Sequence, residues 1–137
     1  MLSAEGGCDR ERVNYHPSRM DIAVRKTGDV TIVDFKGRLA IGVSDSLLPK
    51  VVGEILTDGS KKILLNLSEM DYIDSNGLGE LVQVYRESQR RGASLRLLKP
   101  QDRVTKTLRL TNLLPMFSVY ESEAEALTAF DNGKPAS

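Results

Sequence analysis

The 137-residue chain has one cysteine, one histidine and no tryptophan. Cys8 has no partner within the chain, so a disulfide framework is excluded and a reducing compartment fits best. Cys8 and His16 together fall short of the three or four ligands that zinc takes, and the Asp and Glu residues form no spaced calcium loop. No metal and no cofactor are expected. A Ser-His-Asp arrangement would have to draw its base from His16, in an irregular N-terminal stretch, which argues against a hydrolase. Charge of one sign is also missing, because 19 Lys and Arg balance 19 Asp and Glu. No overall field steers the chain toward direct contact with nucleic acid or an anionic membrane surface. Apolar runs long enough to span a bilayer are absent. Glu5, Asp9, Arg10, Glu11 and Arg12 stand where a secretory peptide would be apolar. A cytoplasmic protein without membrane insertion is expected.

Against these absences stands a regular alternation of patterns. Residues 1–19 carry Gly6, Gly7 and Pro17 without periodicity, and read as a disordered or flexible extension. From Ile22 the pattern is that of a β-hairpin turning at Thr27-Gly28-Asp29 and ending near Gly37. Ser44, Asp45 and Ser46 offer caps for a helix bearing Leu47, Leu48, Val51, Val52, Ile55 and Leu56 on one face, with Pro49 tolerated in its first turn and Gly59 beyond its end. Lys62 to Leu67 contains Ile63-Leu64-Leu65, a short run that suits a central strand covered on both faces. After Asp74 a second helix carries Leu78, Leu81, Val82 and Tyr85 at helical spacing and stops at Arg90-Arg91-Gly92.

A strand at Leu95 to Leu98, a third helix from Asp102 to about Thr111, a brief strand near Phe117 to Tyr120 and a final helix follow. Ser122 and Glu125 form the capping box of that last helix. Such alternation predicts an α/β domain over residues 20–131, a mixed, mainly parallel sheet flanked by about four helices, with a short tail at 132–137.

The junction between the central strand and the second helix holds the candidate site, since that end of a parallel sheet is where sites are built. Asp74 is placed to cap the helix, leaving Ser75 and Asn76 in its first turn facing solvent. Gly77 and Gly79 each cost about 1 kcal/mol of helix stability relative to alanine. A requirement other than helix stability is implied, and close approach of a partner is one such requirement. The stretch is not a nucleophile elbow, because Ile73 stands where a glycine is needed. Nor do Gly77 and Gly79 have the spacing of a phosphate-binding loop.

The hexapeptide Asp74-Ser75-Asn76-Gly77-Leu78-Gly79, preceded by Asn66-Leu67-Ser68, resembles the hallmark of the STAS domain family, and within it the bacterial anti-sigma factor antagonists. The resemblance extends in element order from Ile22 to Phe130. It implies a STAS-like fold in a protein that is not an enzyme. It also implies an anti-sigma factor serine kinase as partner, bound when the chain is unphosphorylated and released once Ser75 is phosphorylated, so that sigma-dependent transcription is regulated. Asp74, Ser75, Asn76, Gly77, Leu78, Gly79, Arg38 and Ser44 are the partner-binding residues carried over. Two departures stand out. Asn76 replaces a second hydroxyl residue, and Gly37-Arg38-Leu39-Ala40 replaces a motif that is often acidic.

Competing readings are a phosphorylation-independent STAS scaffold or ligand-responsive subunit of a signalling or lipid-transport assembly, and a small enzyme with Ser75 as nucleophile. Homodimerisation is left open. Arg103, Lys106 and Arg109 line one side of the third helix, read as a solvated face or as an interaction patch. Tyr72 and Tyr85 read as half-buried packing residues with wet hydroxyls.

Overall fold

Alternating and β-branched residues drive the first segments into strands. The computed structural model describes residues 10–16, 20–40 and 47–132. Within it β1 (Arg10–His16), β2 (Met20–Thr27) and β3 (Val30–Leu39) form an antiparallel meander. The β2–β3 turn puts Gly28 at φ +64°, which favours glycine. β1 lies in the stretch expected to be an unstructured extension, and it pairs with β2 from Arg10↔Arg25 to Val13↔Ile22. A strand at the sheet edge is held by main-chain hydrogen bonds, which need no apolar alternation in the side chains. The sheet therefore begins at Arg10, not at residue 20.

Then follow α1 (Leu47–Thr57), β4 (Lys62–Ile73), α2 (Ser75–Arg90), β5 (Ser94–Leu98), α3 (Asp102–Leu110), a 3-10 turn at Leu114–Met116, β6 (Val119–Tyr120) and α4 (Glu123–Asn132). Strands lie in the order β1-β2-β3-β4-β5-β6, and β3–β4, β4–β5 and β5–β6 are parallel. This is the mixed α/β architecture the sequence predicts. Each parallel crossover steps the same way across the sheet, so a common right hand puts α1, α2 and α3 on one face. Among the described residues, only α4 packs on the other.

The two faces have separate apolar clusters. Val33, Phe35, Ile63, Leu65, Leu67 and Leu97 face the three helices, meeting Leu48, Val52, Leu81, Val84, Val104 and Leu108. Ile32, Leu64, Leu98 and Tyr120 face α4, meeting Ala126 and Phe130. The run Ile63-Leu64-Leu65 is apolar throughout because each successive side chain enters a different cluster. The capping of α4 is as expected on one side, the Glu125 amide donating to Ser122 Oγ at 3.1 Å.

On the α4 face a polar clamp ties β2, β3 and α4 together. Arg25 Nε donates to Asp34 Oδ2 at 2.7 Å and Nη2 to Glu123 Oε1 at 2.8 Å, while Asn66 Nδ2 donates to Asp34 Oδ1 at 2.7 Å. Hydrogen bonds to Glu123, then to Asp34, raise the guanidinium pKa above its already high value. A raised cation pKa stabilises the fold at all pH below the ordinary value and fails only in strong alkali. Removal of Arg25 leaves two carboxylates facing each other, and Arg25→Ala is expected to cost about 2 kcal/mol in urea unfolding, discounted for partial exposure. An unchanged urea midpoint would refute that role.

Candidate functional site

The strand leading to Ser75 is longer than the sequence suggests. The sequence predicts a strand over Lys62 to Leu67, but β4 continues to Ile73 and pairs with β3 through Lys36↔Glu69, Gly37↔Met70, Arg38↔Tyr72 and Leu39↔Ile73. Pairing with β5 ends at Asn66↔Leu98, so among the described strands this outer half of β4 pairs with β3 alone. Register shifts between Asp34 and Lys36 and between Gly37 and Arg38 break the period of two, which hides the strand from an alternation test. Met70 and Ile73 are buried nonetheless. Gln101, just before α3, donates to the Ser68 carbonyl at 2.8 Å, close to where β5 stops pairing with β4.

The helix then starts without a connecting loop. Asp74 is the N-cap in extended conformation, and its Oδ1 accepts from the Gly77 amide at 2.8 Å. Its own amide donates to the Leu39 carbonyl at 3.3 Å, which joins the helix mouth to the end of β3. The expected cap is thus present and doubly anchored.

Ser75 and Asn76 are exposed, as expected. Asn76 Nδ2 lies 3.4 Å from Glu80 Oε2, one turn along α2. Ser75 Oγ makes no hydrogen bond among the described residues. Ser68, Ser94 and Ser118 share this lack of an Oγ hydrogen bond among the described residues, whereas three other serine hydroxyls are engaged. Ser88 Oγ donates to the Val84 carbonyl, Ser60 Oγ is paired with Thr31 Oγ1, and Ser122 Oγ caps α4. Ser75 presents an uncommitted hydroxyl at the positive end of a sixteen-residue helix.

The two glycines separate on inspection. A Cβ on Gly77 would overlap the Leu39 carbonyl oxygen and lie 2.9 Å from the Leu39 carbonyl carbon and 3.0 Å from Ile73 Cγ1. The reading that Gly77 keeps the surface low for a partner is therefore corrected: it lets the helix dock on the strand end, and both Gly77 and Leu78 are buried. Gly79 is different. It is exposed, a Cβ there would meet nothing within 4 Å, and its φ is not positive. The fold supplies no reason for it.

Arg38 is exposed, and its guanidinium carbon lies 5.0 Å from the centre of the Tyr72 ring. Cross-strand pairing brings the two together at the sheet end that also carries the helix mouth. Tyr72 is more open than expected, at 37% exposure. Tyr85 is half-buried, packs edge-on to Phe117 at 5.1 Å and accepts from Gln89 Nε2, in line with the packing role. Tyr72 joins the rim through the Arg38↔Tyr72 register, which no local pattern in the sequence specifies. Ser44 falls outside the described residues. No group of three metal-ligating side chains occurs among the described residues.

A mixed sheet whose long central strand opens directly into an aspartate-capped, serine-bearing helix defines the α/β module at this site. The STAS domain family model matches residues 21–126, and the chain belongs to that family. A Thermotoga neapolitana protein, provisionally designated an anti-sigma factor antagonist, is 38% identical over 77 residues, covering 56% of this chain and 68% of its own length. An anti-sigma F factor antagonist of Paenibacillus polymyxa is 26% identical over 102 residues, 74% of this chain and 87% of its own. The crystal structure of a Thermotoga maritima protein with the same provisional designation superposes with a TM-score of 0.68 at 30% identity, covering 77% of this chain and 90% of that one. No helix among the described residues is long and apolar enough to cross a membrane.

Proposed function

We propose that this chain is an anti-sigma factor antagonist, a cytoplasmic binding module and not an enzyme, switched by phosphorylation of Ser75. In the unphosphorylated form it holds a serine-kinase anti-sigma factor and frees a sigma factor for transcription. The observation that carries this reading is the exposed Ser75 hydroxyl, without a hydrogen bond among the described residues, at the N-terminus of α2. The designations of the two bacterial relatives agree with the general role. Asp74 orients the helix mouth, Asn76 and Gly79 give it a low exposed surface, and Arg38 over Tyr72 forms the neighbouring rim.

In the modification the kinase transfers the γ-phosphoryl group of ATP to Ser75 Oγ. The hydroxyl proton passes to a base of the kinase and ADP leaves. Nothing in this chain needs to act as the base. Incubating the full chain with candidate anti-sigma kinases and ATP, then mapping the product by mass spectrometry, tests the reading. A single phosphate on Ser75, absent from Ser75→Ala, is expected. A kinase that binds the chain yet modifies another residue, or none, overturns it.

A further inference from the structure

The cations at the C-terminal end of α2 are paired, while Arg86 earlier on α2 and the cations of α3 are exposed and in no ion pair among the described residues. At the end of α2, Arg90 and the C-cap Arg91 fold back on Glu87 at 2.6 and 2.9 Å, and hydrogen bonds from Arg90, then Arg91, hold that carboxyl below its ordinary range. On α3, Arg103, Lys106 and Arg109 are all exposed, and none of them is in an ion pair among the described residues. The only acid on that helix is Asp102 in its first turn. Val104 and Leu108 take the opposite side of α3 into the core. Leu110, in the last turn, is 73% exposed and is, with Tyr72, one of two large exposed apolar residues among those described.

We infer that the outer face of α3, with Arg103, Lys106 and Arg109 around Leu110, is a docking surface for a partner protein segment that combines carboxylates with an apolar residue. Charge selects the acidic segment, because three cations without counter-charges attract carboxylates and reject a basic partner. Leu110 selects protein over nucleic acid. An exposed leucine finds no apolar pocket on a phosphate backbone, and three cations on a neutral chain offer few of the phosphate contacts that drive such binding. A membrane is disfavoured because the apolar side of α3, which an interfacial helix would insert, is already spent on Val104 and Leu108 in the core. This surface is independent of Ser75 chemistry.

The test is titration of the isotope-labelled full chain, followed by amide NMR, with a short peptide of glutamate and leucine. A glutamine-leucine peptide, a random DNA duplex and phosphatidylglycerol vesicles are run beside it. Amide shifts confined to α3 with the glutamate-leucine peptide alone are expected. They should weaken about tenfold in Arg103→Glu/Arg109→Glu and as salt is raised, since each exposed pair is worth up to ~1 kcal/mol. Leu110→Ser, a substitution at an exposed position that leaves the core untouched, should weaken them about threefold, through loss of apolar contact. Failure of the glutamate-leucine peptide to shift α3, equal binding of the glutamine-leucine peptide, or tighter binding of DNA or vesicles at α3 each overturn the proposal.

Discussion

A sample fully phosphorylated on Ser75 is expected to lose affinity for its anti-sigma partner by at least about 100-fold, because burying an unmatched dianion in an interface costs on the order of 3 kcal/mol. The fold should not feel it. Ser75 begins α2, where free N–H groups and the positive dipole end tolerate negative charge, and its side chain is exposed. The Asp74 carboxylate is already engaged by the Gly77 amide at 2.8 Å and opposes the phosphate only as a neighbouring like charge. Circular dichroism and the urea midpoint should therefore stay within error of the parent. Ser75→Asp adds a single shorter charge and should weaken binding less, by about tenfold. Ser75→Ala should bind as the parent does and resist the kinase. Titration calorimetry on the parent, the phosphorylated sample and the two variants decides the matter, and undiminished binding by the phosphorylated sample would sink the switch.

Gly77→Ala is expected to destabilise the domain by about 3 kcal/mol, at the upper end of overpacking costs. The obstacle is main chain, since the new methyl would meet the carbonyl of Leu39, which also accepts from the Asp74 amide. A side chain could rotate away, but this carbonyl is held where β3 pairs with β4. Gly79→Ala, two residues on, should do the opposite and stabilise by about 1 kcal/mol, because its Cβ would enter open space on a helix. The same variant should weaken partner capture if a partner's surface rests on Gly79. Chemical denaturation of both variants separates the two glycines, and a Gly77→Ala protein as stable as the parent would show that the helix mouth can shift.

Local pattern carried much of this. The apolar stripe of α1, the cap at Asp74, the stop at Arg90-Arg91-Gly92 and the Ser122 cap of α4 each depend on a few adjacent residues, so they are legible without tertiary knowledge. The outer half of β4 was not legible. Its pairing with β3 passes through two register shifts, and a strand read from alternation disappears where the alternation breaks. β1 was missed because its pairing is a main-chain matter settled by the neighbouring strand. The clamp of Arg25 with Asp34 and Glu123 joins residues up to 98 positions apart, a separation no local pattern encodes.

Sequence alone determined that Ser75 would sit exposed in the first turn of a helix after a buried strand, because capping and periodicity are short-range. Only the tertiary structure decided what the surrounding residues are for. Gly77 answers to the Leu39 carbonyl, Arg38 to Tyr72, and Gly79 to nothing in the fold. Those distinctions rest on which main-chain atoms meet at the end of the sheet, and that meeting is set by register across β3 and β4, which single-residue preferences do not specify.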